Sequence, residues 1–422
     1  MKTVGIVTLG CRVNQYESVA LSEALQKKGF AIAGGDGVCD VYLVNTCAVT
    51  SESQRQCRQT VRRLASKAPT AVLGCAAQAA AEEFTSMEGV FYVGGCGDKM
   101  AVVDAIEQQL TAVHVTEMQN VPFELMSVAG ESGLFSTCRA YLKIQDGCNG
   151  RCTYCIIPSL RGPSRSRGTD EIIGEARRLV GAGYRELVLT GIETSAFNSC
   201  RLEDLIVRLG DLEGDGLARV RLGSLSSGTL RAPFLEKVAG VSNFMPHVHL
   251  SLQSGSDRIL ELMKRPDRRA QFEERVALLR EFLPRVRISA DLITGFPTET
   301  EEDYLQTESL VHALDLLHVH AFPYSERPGT PAAEMPGSVP KEVRKERCLR
   351  LNHASDEQKQ RIFSEFVGKT VRVLVEKVKN GEAIGHSEEF LECKVAGKPF
   401  VVGEIVSATV TAQDGKVLHA KI

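Results

Sequence analysis

Short apolar runs alternate with longer stretches of helical period through most of this chain, and that alternation predicts parallel strands with helices on both faces of the sheet. Strands are expected at 4–9, 41–45, 71–74 and 91–93, with helices at 18–28 and 51–66. Together they describe an N-terminal open parallel α/β domain over residues 1–116. A polar stretch without clear period, 117–137, is expected to be a linker. The alternation resumes over 138–362, with apolar runs at 186–191, 220–224, 248–252, 288–293 and 317–322. These strand-helix units fit a partial or full (β/α) barrel, whose chemistry lies at the carboxyl ends of its strands. Over 366–422 the period changes to two, as at 370–375 and 404–411, and Gly381, Gly385, Gly397 and Gly403 supply turn signals. A small antiparallel β-barrel of OB-like kind is expected there. The fold class is α/β with a terminal all-β module.

Composition changes this picture in one respect, through cysteine. The 422 residues contain thirteen cysteines, no run of about eighteen apolar residues, and no basic opening followed by a long apolar core. Neither secretion nor membrane spanning is expected, and a cytoplasmic location follows. In that reducing setting thiols are free or bind metal instead of forming disulfides. A formal net charge of −3 gives no field that would steer a polyanion, so any nucleic-acid surface must be a local basic patch.

Cys148, Cys152 and Cys155 carry the sharpest chemical signal. A structural zinc site or a fully ligated ferredoxin-type cluster uses four protein ligands. A compact C-x3-C-x2-C loop offers three, which suggests a 4Fe–4S cluster whose last iron binds something exchangeable. A second constellation follows the predicted strands of the first domain: Cys11, Cys47 and Cys75 each stand just after a strand. In an open parallel sheet such loops converge in the crevice beyond the strand ends. Small buried thiols in a sheet are the competing explanation for each one singly, and three equivalent positions favour a second cluster site.

The segments 8–17, 45–50 and 73–78, the cysteine triplet, and the segments 251–256, 295–300 and 322–329 together resemble the methylthiotransferase family of radical S-adenosylmethionine (SAM) enzymes over nearly the whole chain. The first motif, Gly10-Cys-Arg-Val-Asn-Gln-Tyr-Glu17, is most similar to the branch acting on N6-threonylcarbamoyladenosine beside the tRNA anticodon. Branches acting on isopentenyladenosine and on a ribosomal-protein aspartate are alternatives, as is a non-catalytic iron-sulfur RNA-binding protein. The resemblance implies a partial radical SAM barrel and a TRAM-like terminal barrel. It further implies two 4Fe–4S clusters, one cleaving SAM into a radical that takes hydrogen from adenine C2, the other carrying sulfur. Partners implied are tRNA, an electron donor such as flavodoxin and a sulfur source. By motif match Tyr154, Gly191, Glu193, Gln253 and Asp291 are expected to meet the cofactor. Where the family usually has a glutamate, this chain has Ser226, so a contact from that strand is in doubt.

Arg161, Arg165 and Arg167 follow the cysteine loop, and Arg55, Arg58 and Arg62 repeat at helical spacing. Charge runs are usually solvated faces. With a tRNA substrate, both groups are expected to contact phosphate, and Lys264, Arg265, Arg268 and Arg269 could join them. His247 with His249, and His318 with His320, are H-x-H pairs on predicted strands and point to one face each. A polar barrel lining is favoured for them over zinc. The other seven cysteines, Cys57 and Cys96 among them, are expected to be buried or incidental.

Overall fold

The computed structural model describes residues 1–35, 37–130 and 138–422. Its first sheet contains β1 (Thr3–Thr8), β2 (Ala31–Gly34), β3 (Val41–Thr46), β4 (Thr70–Gly74), β5 (Val90–Gly94) and β6 (Ala112–His114), all parallel, in the order β2-β1-β3-β4-β5-β6. Strand order reverses at β1, which opens a crevice beyond the carboxyl ends of β1 and β3. Central β3 and β4 are buried along their length, as their apolar runs require. The edge strands β2 and β6 are short and partly exposed, so they lack the apolar signal that exposed the other four. The first helix spans Arg12–Lys27, starting well before the expected Ser18, because Asn14 and Glu17 are polar residues turned inward.

The connector 117–130 has one short 3-10 turn, Met118–Asn120, yet it is packed rather than loose. Met118, Met126 and Val128 are buried, and Glu23 accepts from the Ala129 and Gly130 N–H groups. The rest of the expected linker, 131–137, lies outside the described residues.

The central unit contains β7 (Arg139–Lys143), β8 (Gln145–Asp146), β9 (Arg165–Ser166), β10 (Glu186–Thr190), β11 (Arg219–Leu222), β12 (Ser224–Leu225), β13 (His247–Gln253), β14 (Arg287–Thr294) and β15 (Leu316–Pro323). β8 and β9 make a small antiparallel pair beside the cysteine loop. The others form parallel sheets β11-β10-β7 and β12-β13-β14-β15. Only Gly223 separates β11 from β12, so one bent strand runs through both sheets and the whole is a partial six-stranded barrel. β7 escaped the apolar pattern because Arg139 and Lys143 enter buried ion pairs.

The terminal barrel is closed by β16 (Thr370–Lys379), β17 (Glu382–His386), β18 (Glu392–Ala396), β19 (Ile405–Gln413) and β20 (Leu418–Lys421), in the order β16-β17-β18-β20-β19. Four of its pairings are antiparallel, while β18 and β20 run parallel. Asn380 and Gly381, both at positive φ, make the tight turn of the first hairpin. Gly385 is no turn residue: it lies within β17, where a Cβ would stand 1.8 Å from the Leu374 carbonyl oxygen. This barrel closes the amino end of the central one. Arg219 and Arg221 of β11 donate to the carbonyls of Arg372, His386, Ser387 and Glu388, and Phe390 stacks on His247 at 4.9 Å between centroids.

Candidate active site: two thiol sets tied by buried charge

Cys148, Cys152 and Cys155 lie in the loop after β8, at the carboxyl end of the partial barrel. The loop is pinned from several sides. Cys148 N–H donates to Gly162 O at 3.0 Å, Thr153 N–H to Met263 O at 3.1 Å, and Ala332 N–H to Thr153 O at 2.9 Å. The Gly150 N–H points at Cys148 Sγ at 3.2 Å, and the Arg265 guanidinium stands 3.7 Å from Cys152 Sγ while donating to Ser251 O at 2.5 Å. Arg265 is therefore a cation of this loop, not of an RNA surface. Burial pushes the Cys155 thiol up to about 12, so its thiolate depends on the metal it would bind.

The second set stands at the sheet's switch point. Cys11, Cys47 and Cys75 follow β1, β3 and β4, and their loops interlock. Gly10 has φ +107° and a Cβ there would meet Cys47 Cβ at 2.6 Å; Gly74 has φ +101° and a Cβ would meet Thr46 O at 2.6 Å. Only glycine permits this approach. Asn14 braces two of the loops by donating to Leu9 O and Thr46 O, both at 2.9 Å.

Arg161 is wholly buried here, against the expectation of phosphate contact. Its Nε donates to Cys75 Sγ at 3.3 Å, and its terminal nitrogens to Glu17, Asp146 and Asn14 at 3.0 Å. Lys99 and Lys143 complete the cluster: both pair with Glu17, and Lys143 also reaches Asp146 at 2.6 Å. Three cations face two carboxylates, so a third anion is favoured at Cys75. A hydrogen bond from the Cys96 thiol, 3.8 Å away, acts with Arg161 and Lys99 against burial to bring Cys75 down to about 5. Cys96 itself is raised, which makes it the proton holder of the pair.

Cys96 was a signal missed in the sequence. It follows β5 as the other three follow their strands. Cys57 braces Cys47: its sulfur accepts from Cys47 N at 3.3 Å and donates to Cys47 O at 3.4 Å.

A cavity of about 220 Å³ lies at the barrel mouth against the first domain, and among the described residues Cys155 is the one candidate ligand that lines it. Tyr154 and Cys155 line it from one side, Val49 and Thr50, just past Cys47, from the other, and Gln253, Asp291 and Phe322 form its barrel wall. Gln253 sits at φ +74° beside an irregularity in the β13·β14 pairing, a strained conformation typical of ligand sites. Glu193 lies near Cys148 and its N–H donates to Gln145 Oε1 at 2.8 Å. Gly191 packs closely on the same residue: a Cβ there would stand 2.8 Å from that Gln145 side-chain oxygen. Ser226 lines a separate, open cavity with Arg201 and Arg231.

Arg167, also expected at RNA, is buried and paired with Glu175 at 2.8 Å. Arg165 is partly buried and donates to the carbonyls of Arg161 and Pro163. Arg55, Arg58 and Arg62 do lie on the outer part of the helix Ser51–Ala65, the first two paired with Glu52 and Glu83.

Among the described residues no three metal-ligating side chains close around a single ion. A cluster asks for something different, since each of its thiolates binds a different iron. Both sets fit such a group: three thiols on one braced loop in the first and on three interlocked loops in the second, each with a cation beside it. The central barrel, the thiol loop at its carboxyl end and the thiol-lined sheet edge define a radical SAM enzyme with an added cysteine site.

Residues 142–311 match the Radical SAM superfamily, and residues 3–96 match a family described as Uncharacterized protein family UPF0004. The chain is 36% identical to threonylcarbamoyladenosine tRNA methylthiotransferase MtaB of Rickettsia prowazekii, over 96% of this chain and 93% of that one. It is 31% identical to MtaB of Bacillus subtilis, covering 97% and 94%. It is also 31% identical to tRNA-2-methylthio-N(6)-dimethylallyladenosine synthase of Agrobacterium fabrum, covering 100% and 97%. Among solved structures, the radical SAM methyltransferase TsrM from Kitasatospora setae matches with a TM-score of 0.58 at 18% identity, over 79% of this chain and 77% of that one, a likeness of fold. The chain belongs to the methylthiotransferase family of radical SAM enzymes. SAM and 4Fe–4S clusters are its cofactors.

Proposed function

We propose that this chain converts N6-threonylcarbamoyladenosine in tRNA, beside the anticodon, to its 2-methylthio derivative. Relatives bearing that activity in their names align along nearly the full chain. The observation that carries the reading is the buried Arg161, which follows the first thiol loop, donates to Cys75 of the second set and pairs with Glu17 and Asp146, so that the two sets are held side by side. In this reading Cys148, Cys152 and Cys155 hold the SAM-binding cluster, and Cys11, Cys47 and Cys75 hold the sulfur-carrying one. Bound there, the clusters and SAM supply the electron, the hydrogen-abstracting radical, the sulfur and the methyl group.

The chain's own residues position and insulate. Tyr154 offers a ring against the cofactor, and Gln253 and Asp291 offer polar contacts from the barrel wall. Arg265 balances thiolate charge at the first set, and Arg161 with Lys99 does so at the second. The outer arginines Arg55, Arg58 and Arg62 and the terminal barrel remain for the tRNA backbone, a recognition of shape and phosphate. An electron donor such as flavodoxin and a sulfur source complete the partners, in the cytoplasm.

The test is anaerobic turnover with tRNA bearing the threonylcarbamoyl group, read by mass spectrometry of digested nucleosides. A methylthio product absent in Cys152→Ala supports the reading. SAM cleavage without a modified nucleoside would mean a different substrate.

A further inference from the structure

Five of the nine histidines, His247, His249, His318, His320 and His386, line a second cavity of about 330 Å³. It continues the first along the same strand faces. Asp291 lines the first and His249 the second, with 3.1 Å between Oδ2 and Nε2, and the rings of His320 and Phe322 stack across the boundary. Two residues along a strand advance about 7 Å, so a group held here lies within one nucleoside of the first cavity and its Cys155. Among the described residues these histidines form no metal-binding group.

Arg12, the residue after Cys11, reaches into this cavity from the first domain. It is partly buried, and among the described residues it has neither hydrogen bond nor ion pair. Other arginines facing the barrel interior differ: Arg139, Arg219 and Arg221 all contact Glu186. A half-desolvated guanidinium without an anion is a costly arrangement unless a ligand supplies one. Lys359 adds a second cation, and the carboxylate of Glu392 stands at the exposed rim. Burial and nearby cations hold His318 down to about 4 and lower His247 and His320, so these rings serve as neutral hydrogen-bonding groups. The cavity thus suits one negative charge next to neutral polar groups.

We infer that Arg12 receives the carboxylate of the threonylcarbamoyl substituent, with His249 and His320 facing its urea and hydroxyl groups. This deepens the proposed function and rests on it. A purely hydrocarbon N6 substituent would bury Arg12 without a partner, so the same contact would reject an apolar substrate. The motif that set the chain nearest the threonylcarbamoyl branch contains this residue, Gly10-Cys-Arg-Val-Asn-Gln-Tyr-Glu17.

Binding of short anticodon stem-loop RNAs to the full chain, followed by fluorescence anisotropy, tests the inference without turnover. Three RNAs are compared: one with N6-threonylcarbamoyladenosine, one with its methyl ester, and one with unmodified adenosine. The wild type should prefer the free acid over the ester by about tenfold or more, the usual size of a lost charge-assisted contact. Arg12→Gln should bind all three alike while keeping its affinity for unmodified RNA, and Arg12→Lys should restore part of the preference. Equal affinity of the wild type for acid and ester, or an acid preference that survives Arg12→Gln, overturns the assignment. If the turnover assay still yields the methylthio nucleoside in either case, the proposed function stands and only the role of Arg12 falls.

Discussion

Replacing Glu17 by Gln removes one charge and almost no volume from the cluster that ties the two thiol sets together. Glu17 is fully buried and accepts from Lys99, Lys143 and Arg161, the last two at 3.0 Å. At an effective dielectric of about 20, each such pair at 3.0 Å attracts by about 5.5 kcal/mol. Desolvation cancels several kcal/mol per ion, and removing one partner from a buried network typically costs about 3–5 kcal/mol. The variant leaves three cations facing one carboxylate, Asp146, and the Cys75 thiolate. The loss should be local, so backbone hydrogen exchange of the helix Arg12–Lys27 is the assay, since a multidomain chain does not unfold in one step. Its protection should fall by about two to almost four powers of ten at 1.36 kcal/mol per decade. A second change, Lys99→Met, removes one of the stranded cations and should recover part of the loss, with a coupling of about 2 kcal/mol. Wild-type protection in Glu17→Gln, or strictly additive losses in the double variant, would refute the view that this cluster is a charge-balanced brace.

Three further outcomes follow from single features. Burial raises Glu186, but Arg221, Arg139 and Arg219 outweigh it and bring the carboxyl to about 2 from its ordinary 4.5. That stabilisation, about 3 kcal/mol, is complete above pH 4.5 and is lost as pH falls toward 2; limited proteolysis across this range should release the terminal barrel first, because the same arginines hold its carbonyls. Gln253→Gly relieves a positive φ and should raise thermal stability by about 1 kcal/mol while lowering turnover, and a fall in both would show that the strain argument is wrong. Gly385→Ala places a Cβ on the Leu374 carbonyl and should open the β16·β17 pairing, costing about 3 kcal/mol, seen as lost strand signal and weaker tRNA binding in a filter assay.

Period and spacing made the three-part architecture legible, together with the loops of both thiol sets, because apolar strands and glycine turns obey local rules. What escaped them was wherever charge had been turned inward. The start of the first helix was hidden by Asn14 and Glu17, and β7 by Arg139 and Lys143. Arg161 and Arg167 looked like surface cations by composition, and only tertiary partners, Glu17 and Glu175, reveal them as buried. Cys96 was visible in principle, since it too follows a parallel strand, but its nearness to Cys75 depends on the β4·β5 register.

The same inward charges explain how two chemistries can be kept in step. Asp146 lies two residues before Cys148, Arg161 six after Cys155, and Glu17 six after Cys11; all three meet in one salt-bridged cluster whose arginine also touches Cys75. Each thiol set is therefore anchored to the other through buried ions and not only through the domain contacts around them. A sulfur atom passed from one site to a carbon activated at the other must cross a fixed gap, and a misplacement of about 1 Å can cost a hundredfold in rate. Buried ion pairs add little net stability over apolar packing, but they impose one geometry, since any shift strands a charge. On that reasoning, Arg161→Met should leave much of the fold intact while uncoupling the sites: SAM cleavage would persist, and the methylthio product per SAM consumed would drop. A constant ratio of product to cleavage in that variant would show that the cluster serves stability alone.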